Sequence, residues 1–150
     1  MRKRILIILG ILILLAGISA TGFAAMFSPK HPSDYHIGVS YDIAKKSDKP
    51  MLIVFYADWC TYCMKFMPKF NLLSKIYGGK FNFVMINVEE NDDTIRLAKN
   101  SDVAGYPTVY IIDPKYDNKI HLSNAIYQDL GKFRIELDRY LRIRALLDKK

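Results

Sequence analysis

Residues 51–63 read Met-Leu-Ile-Val-Phe-Tyr-Ala-Asp-Trp-Cys-Thr-Tyr-Cys, an apolar run followed by two cysteines three positions apart. The unbroken apolar run, Met51–Tyr56, is typical of a strand buried on both faces. Residues 60–77 then show helical spacing of apolar side chains, are interrupted by Pro68, and end before two consecutive glycines. The sequence therefore predicts that the cysteine pair lies between a buried strand and the N-terminus of a helix.

This position has chemical consequences for the two thiols. Unpaired backbone N–H groups and the positive end of the helix dipole favour a thiolate over a thiol at a helix N-terminus. Cys60 is expected at the exposed edge of the helix, and Cys63, one turn further, is expected to be more buried. An attack by Cys60 on a disulfide would form a mixed disulfide, which Cys63 would resolve by closing an intramolecular ring.

Other uses of a Cys-x-x-Cys pair have less support in the sequence. A structural zinc site needs two further ligands, but the chain has no third cysteine and its histidines are scattered at His31, His36 and His121. Haem attachment needs a histidine directly after the second cysteine, where this chain has Met64. A purely structural disulfide that closes so short a loop gains little chain entropy. We therefore expect neither a metal nor another cofactor.

The remaining segments alternate between strand and helix patterns. Helices are predicted over residues 40–46, over residues 92–99 with Asp92 and Asp93 as the cap, and from Asp129 onward; strands are predicted over residues 81–88, 108–112 and, more weakly, 119–122. The first two strands are joined through a helix and should be parallel. The fold class is therefore predicted to be α/β, with a central mixed sheet flanked by helices.

Several other side chains are assigned structural roles. Glu89 and Glu90 follow the second strand and are expected to be solvated loop acids. Two helical stripes are expected to face the core, the first with Phe66, Met67, Phe70, Leu73 and Ile76 and the second with Phe133, Leu137, Tyr140, Leu141 and Leu147.

Two separate motifs resemble those of the thioredoxin family. The first is Trp59-Cys60-x-x-Cys63, preceded by Tyr-Ala-Asp and followed five residues later by Pro68; the second is Gly-Tyr-Pro-Thr at residues 105–108. The resemblance covers about residues 37–147, with one strand and one helix between the motifs. The Tyr-Ala-Asp-Trp-Cys string is most similar to extracytoplasmic thioredoxin-like domains. The resemblance implies a thioredoxin-like fold.

The resemblance also implies a role for each motif residue. Cys60 is the nucleophile and Cys63 the resolving thiol, while Trp59 packs beside the dithiol and shapes the docking surface. Pro107 holds a cis peptide bond, and the backbone of Tyr106 pairs with an extended substrate segment by main-chain hydrogen bonds. The expected activity is that of a thiol–disulfide oxidoreductase, a protein-disulfide reductase or interchange protein. The alternative is a thioredoxin-fold binding or assembly module whose dithiol is incidental.

The chain departs from the family pattern at three places. Val54 and Met85 stand where many thioredoxins have a buried acid and a neighbouring lysine, so the resolving thiol must use another proton relay. The residues between the cysteines are Thr61 and Tyr62 rather than Gly-Pro or a pair with histidine. Because a histidine would stabilise the thiolate further, we expect a reduction potential between those of reductants and strong oxidants. Tyr62 and Tyr106 are candidates to flank the substrate groove.

The first 29 residues predict the compartment. Basic residues at positions 2–4 precede an uncharged run, residues 5–27, which is long enough as a helix to cross a bilayer. The positive-inside tendency keeps the N-terminus cytoplasmic and places the rest outside. The run is either an uncleaved single-pass anchor, with the domain in the periplasm, or a cleaved signal peptide of a secreted protein. Residues 28–33 contain two prolines and are predicted to form an extended tether before a domain at residues 30–150.

The composition limits the partners. The net charge of +7 falls to +4 once residues 1–29 are left out, and the remaining basic residues form no cluster on one element, so no nucleic-acid partner is expected. An apolar fraction of 51% excludes a disordered chain. The expected partners are proteins that carry disulfides or thiols and an upstream electron donor in the membrane, and the chain is expected to be a monomer.

Overall fold

The structure, a computed structural model, describes residues 30–149. The predicted membrane or signal segment at residues 5–27 lies outside them. Within residues 30–149, no helix combines the length and the apolar character needed to span a membrane.

In the part of the chain that the structure describes, four strands form one mixed sheet. They are β1 (Met51–Tyr56), β2 (Asn82–Asn87), β3 (Thr108–Asp113) and β4 (Asn118–Leu122), in the order β2-β1-β3-β4. The parallel pairing of β1 with β2 confirms the crossover prediction, and β3 pairs antiparallel with both β1 and β4. All residues of β1 are buried because this strand is central and covered on both faces. The residues that follow β1 therefore leave the sheet at the carboxyl end of this central strand.

Within the described residues 30–149, five α-helices accompany the sheet. They are α1 (Tyr41–Ala44), α2 (Thr61–Tyr77), α3 (Asp92–Lys99), α4 (Asn124–Tyr127) and α5 (Leu130–Leu147). Helix α2 continues through Pro68, so the predicted interruption at this proline is not present. The equally short α1 was predicted over residues 40–46, whereas α4 was not predicted; a single turn of helix carries little periodicity.

The helix caps are partly as predicted. The Asp129 carboxylate accepts the Lys132 N–H at 3.0 Å, which confirms the predicted start of α5. Helix α3 is capped by Asn91 instead of Asp92 or Asp93, since the Asn91 amide oxygen accepts the N–H groups of residues 93 and 94, each at 3.0 Å. The two aspartates lie in the first turn, where their charge still favours the helix dipole.

Most of the predicted core residues are buried, with two exceptions. Ile76 is 47% exposed, because the next residue, Tyr77, packs inward and donates its hydroxyl to Asp138 of α5 at 3.0 Å. Leu147 is also exposed, because it is the last residue of α5 and lies one turn beyond Arg144, which binds the buried carboxylate of Asp113.

The predicted extended tether is wrong for its last residues. Pro32–Asp34 form a 3-10 turn, and Pro32 is buried. The His31 N–H donates to the Asp34 carboxylate at 2.8 Å, which closes the turn. Two prolines favour an extended path in isolation, but burial of the Pro32 ring and this hydrogen bond stabilise a compact conformation.

A glycine turn joins this region to the sheet. Gly38 has a φ of +78°, a conformation that favours glycine. The turn brings the Val39 N–H to the Phe83 carbonyl at 2.9 Å, so residue 39 pairs with the free edge of β2. A Cβ atom at Gly38 would lie 1.9 Å from that carbonyl oxygen. The edge pairing therefore depends on a glycine at this position.

Candidate functional site

The two cysteines lie where the sequence predicts them, after β1 and at the start of α2. Cys60 is the N-cap of α2, and its Sγ accepts the Cys63 N–H at 3.1 Å. The two residues form a disulfide, with Cα atoms 5.2 Å apart. In the reduced protein the same N–H group and the helix dipole would favour a thiolate on Cys60.

Cys63 is more buried than Cys60, as predicted, but Cys60 is less exposed than predicted. Cys63 is fully buried and Cys60 is 5% exposed, so Cys60 is far less open than the edge of a helix would be. The loop at residues 104–106 lies against Cys60, with the Tyr106 carbonyl oxygen 3.5 Å from Cys60 Sγ. A groove of about 510 Å³ lies between this loop and the start of α2, lined by Trp59, Cys60, Thr61, Tyr62, Ala104, Gly105 and Tyr106. Of the two cysteines, Cys60 lines the groove and Cys63 does not.

The second motif faces the dithiol across this groove. The Tyr106–Pro107 peptide bond is cis, as the family resemblance implies. The carbonyl oxygen of Tyr106 lies 3.5 Å from Cys60 Sγ. Two hydroxyls support the loop: Tyr127 donates to the Pro107 carbonyl at 2.8 Å, and Thr108 donates to the Gly105 carbonyl at 2.6 Å. The structure therefore brings together all five predicted site residues, although their roles in substrate binding and turnover stay predictions.

Trp59 is held beside the groove by Glu89, a residue predicted to be a solvated loop acid. Its side chain is 64% exposed, and its indole N–H donates to the Glu89 carboxylate at 2.9 Å. The indole also meets the Tyr106 ring edge-on, with centroids 6.2 Å apart. Glu89 is exposed, as predicted, but it is bonded to the tryptophan rather than free in the loop. Only the folded chain brings the end of β2 next to Trp59, and no local pattern in the sequence indicates this contact.

The structure confirms that two apolar residues stand near the dithiol in place of the buried acid and lysine of many thioredoxins. Val54 and Met85 are direct partners in the β1–β2 pairing, and Val54 is fully buried. Within residues 30–149 the one buried carboxylate is Asp113, at the opposite end of β3 from Pro107. Burial and the nearby carboxylates raise the pKa of Tyr56, at the end of β1, to about 12. A phenol with so high a pKa stays protonated at neutral pH.

A metal function gains no support from the described residues. Within residues 30–149, no group of three or more His, Cys, Asp or Glu side chains could hold a metal ion. A larger cavity of about 640 Å³ lies between α1 and α3, where Asp42, Lys45 and Arg96 contribute to its lining. It contains neither cysteine, and Cys60 lines the smaller groove instead.

Comparisons with known proteins agree with this geometry. The family described as Thioredoxin matches residues 39–131. The Thioredoxin domain-containing protein R362 of Acanthamoeba polyphaga mimivirus is 38% identical over 91 residues, which are 57% of this chain and 26% of the viral protein. The Thiol:disulfide interchange protein TxlA of Synechococcus elongatus is 37% identical over 67 residues, which are 45% of this chain and 35% of that protein.

A solved structure shows the same fold. The germline-specific thioredoxin protein Deadhead of Drosophila melanogaster superposes with a TM-score of 0.53 at 22% identity, covering 75% of this chain and 96% of that chain. The fold and the site thus define an α/β protein with a disulfide-bonded Cys-x-x-Cys pair at a helix N-terminus. The chain belongs to the thioredoxin family. Its matched part spans only about a quarter to a third of the two relatives named above.

Proposed function

We propose that the protein is a thiol–disulfide oxidoreductase that reduces or exchanges disulfides in other proteins. The observation that carries this proposal is the disulfide between Cys60 and Cys63 at the start of α2, with the cis Pro107 loop across the groove. The TxlA relative is named a thiol:disulfide interchange protein, which agrees with the proposed chemistry.

The proposed reaction transfers two electrons in two exchange steps. The Cys60 thiolate attacks one sulfur of a substrate disulfide, forms a mixed disulfide and releases the other substrate sulfur as a thiolate, which takes a proton from water. The Cys63 thiolate, its proton lost to water, then attacks Cys60 Sγ. This step releases the second substrate thiolate and leaves the Cys60–Cys63 disulfide. The substrate disulfide is reduced, and the dithiol of this chain is oxidised.

The groove favours an extended polypeptide as the substrate. The backbone of Tyr106 lies next to Cys60 Sγ and can pair with a substrate strand by main-chain hydrogen bonds. Trp59 and Tyr62 offer apolar surface on the α2 side, since they are 64% and 65% exposed. Main-chain pairing with an aromatic wall binds peptides with little dependence on sequence, which suits a protein with several clients.

We also propose that the domain works outside the cytoplasm while attached to the membrane as a monomer. The support comes from the sequence: an uncharged run at residues 5–27 follows basic residues at positions 2–4. An anchored reductase needs a source of electrons, and a membrane donor would supply them. A secreted form, released by signal cleavage, is the alternative.

The test is the reduction of a protein disulfide by the full chain. Cys60→Ser should abolish turnover, because the attacking sulfur is lost. Cys63→Ser should accumulate covalent mixed disulfides visible on non-reducing gels, and the double variant, which lacks both sulfurs, is the matched control that should trap none. If cells that carry Cys60→Ser behaved like cells that carry the parent protein, the dithiol would be incidental. The binding-module alternative would then replace this proposal.

A second measurement concerns the direction of electron flow. Equilibration of the Cys60–Cys63 pair with glutathione should give a potential between about −270 mV, typical of thioredoxin, and about −120 mV, typical of the strongest periplasmic oxidants. The reason is the Thr61–Tyr62 pair, which contributes no histidine to the thiolate. A value near the upper limit would instead indicate an oxidant.

A further inference from the structure

The segment that precedes the family match is bonded to the residue next to Trp59. The N-terminal turn, defined here as residues 31–34, lies before the matched region, which begins at residue 39. The Ser33 N–H donates to Asp58 Oδ1 at 2.9 Å. The His31 ring nitrogen Nδ1 lies 3.3 Å from the Asp58 carbonyl oxygen. Two parts of the chain about 25 residues apart in sequence therefore meet at Asp58.

The other carboxylate oxygen of Asp58 is also bonded. Asn87, at the end of β2, donates its side-chain amide to Asp58 Oδ2 at 3.3 Å. The N-terminal turn itself has a fixed conformation, since Pro32 is buried and the turn packs against α2. Asp58 is thus held from both sides, by the N-terminal turn and by β2. A carboxylate with both oxygens engaged has few conformations left.

Asp58 belongs to the short turn that carries the attacking sulfur. This turn, residues 57–60, is closed by the Cys60 N–H, which donates to the Ala57 carbonyl at 3.2 Å. It places Trp59 at the groove and Cys60 at the start of α2. Bonds to Asp58 therefore restrict the backbone on which both site residues lie. Reactions between oriented groups are fast because the loss of conformational freedom precedes the reaction.

We infer that the N-terminal turn, acting through Asp58, positions Trp59 and Cys60 for attack on protein disulfides. The inference rests on the proposed function, because it concerns the rate of that reaction. The turn is a positioning element and Asp58 a positioning residue, since neither contacts the sulfur. The segment that leads into the domain thereby contributes to the reactivity of the site and is more than a passive connection.

The test compares single and double variants of the full 150-residue chain in detergent. Ser33→Pro removes the N–H donor to Asp58, and Asp58→Ala removes the acceptor. Each should slow mixed-disulfide formation with a protein substrate about threefold to tenfold, the range expected for the loss of one or two net hydrogen bonds. The double variant should be no slower than the slower single variant, because both changes remove the same contact.

Two further variants separate positioning from general loss of stability. Asp58→Asn keeps an oxygen that can accept the Ser33 N–H and should recover most of the rate. Ser47→Pro is the matched control, since it also removes a backbone N–H donor, that of Ser47 to the Ala44 carbonyl, but before β1 at the other end of the strand. It should leave the rate unchanged.

Fluorescence gives an independent measure, because Trp59 is the single tryptophan of the chain. Ser33→Pro and Asp58→Ala should lower its anisotropy, and Ser47→Pro should not. The inference would be overturned if Ser33→Pro and Ser47→Pro formed mixed disulfides at equal rates and had equal Trp59 anisotropy. If Cys60→Ser was inactive at the same time, the proposed function would stand. Full activity of Cys60→Ser would overturn the proposed function instead. Additive rate losses in the double variant would also refute positioning through Asp58.

Discussion

The carboxylates at the two ends of the central sheet differ in how far they are buried where they accept hydrogen bonds. At the dithiol end, the carboxylates that accept hydrogen bonds are exposed or half-buried, as in Glu89 with Trp59 and Asp58 with Asn87. At the opposite end, the fully buried carboxylate of Asp113 accepts hydrogen bonds from Tyr140 at 2.8 Å and from Arg144 at 2.7 Å. The first end leaves a reactive sulfur accessible from a groove, whereas the second ties the end of β3 to α5.

The difference shows how the fold separates reactivity from stability. A buried carboxylate close to a cysteine would oppose the thiolate by charge repulsion. This chain has Val54 and Met85 at the position next to the dithiol where many relatives have a buried ion pair, and its buried carboxylate lies at the far end of β3. We therefore expect changes at the far end to alter stability with little effect on exchange, and changes at the dithiol end to do the reverse.

The largest loss of stability is expected from Arg144→Leu. The substitution leaves Asp113 buried without its cation, and breaking such a pair typically costs about 3–5 kcal/mol. Urea denaturation would measure it. Arg96→Leu is the matched control: its partner Asp93 forms an exposed pair within α3, for which about 0–1 kcal/mol is typical. Equal losses in the two variants would contradict a stabilising role for the far end.

Gly38→Ala should have the next largest effect. A side chain at a positive φ costs about 1–3 kcal/mol, and its Cβ would also clash with the Phe83 carbonyl. Gly79→Ala is the control, since no atom lies within 4 Å of the Cβ position there. Thermal unfolding should show a lower midpoint temperature for Gly38→Ala but not for Gly79→Ala. At temperatures where Gly38→Ala is folded, its thiol–disulfide exchange activity should be unchanged. A loss of exchange activity in folded Gly38→Ala would weaken the separation of the two ends.

A smaller effect is expected at alkaline pH from Tyr56 at the dithiol end. Its pKa is raised from 10.0 to about 12, mainly by burial, so the unfolded chain releases this proton at lower pH than the folded one. The resulting contribution to stability is complete below pH 10 and is lost as pH rises through about 12. Between pH 10 and pH 12, the unfolding free energy of Tyr56→Phe should therefore decrease less than that of the parent protein.

The exposed Tyr62→Phe serves as the control for the loss of one phenol. Unfolding free energies measured between pH 9 and pH 12 would show the difference. A Tyr56→Phe profile that superposes on the parent profile would mean that the burial of this phenol has no energetic consequence.

The smallest effect on stability is expected from Glu89→Ala. Its carboxylate is exposed, so the unfolding free energy should change by less than about 0.5 kcal/mol. The indole of Trp59 would lose its hydrogen-bond acceptor, and the rate of mixed-disulfide formation should fall about two- to fivefold. Glu90→Ala, one residue further along the same loop, is the control and should leave the rate unchanged. A large loss of stability in Glu89→Ala would contradict the division between the two ends.

Much of the fold was predictable because its signals are local. Residues 51–56 form the buried central strand that their unbroken apolar run predicts, and Asp129 caps the last helix. The Cys-x-x-Cys spacing and the distant Gly-Tyr-Pro-Thr motif were sufficient to name five site residues. Errors arose where a polar bond between distant segments turns a neighbouring residue inward, as at Ile76, where the helix ends, as at Leu147, or where burial folds a proline segment into a turn, as at Pro32.

The sequence by itself determined the chemistry: two cysteines three positions apart, after a buried strand and before a helix, because covalent spacing and apolar patterning are properties of the chain alone. Only the tertiary structure decided how open Cys60 is, which acid holds Trp59, and that Ser33 supports Asp58. These features depend on atoms that lie 25 or more residues apart in sequence and meet only when the sheet and its helices pack. Their geometry is set by the packing, so no local pattern could reveal it.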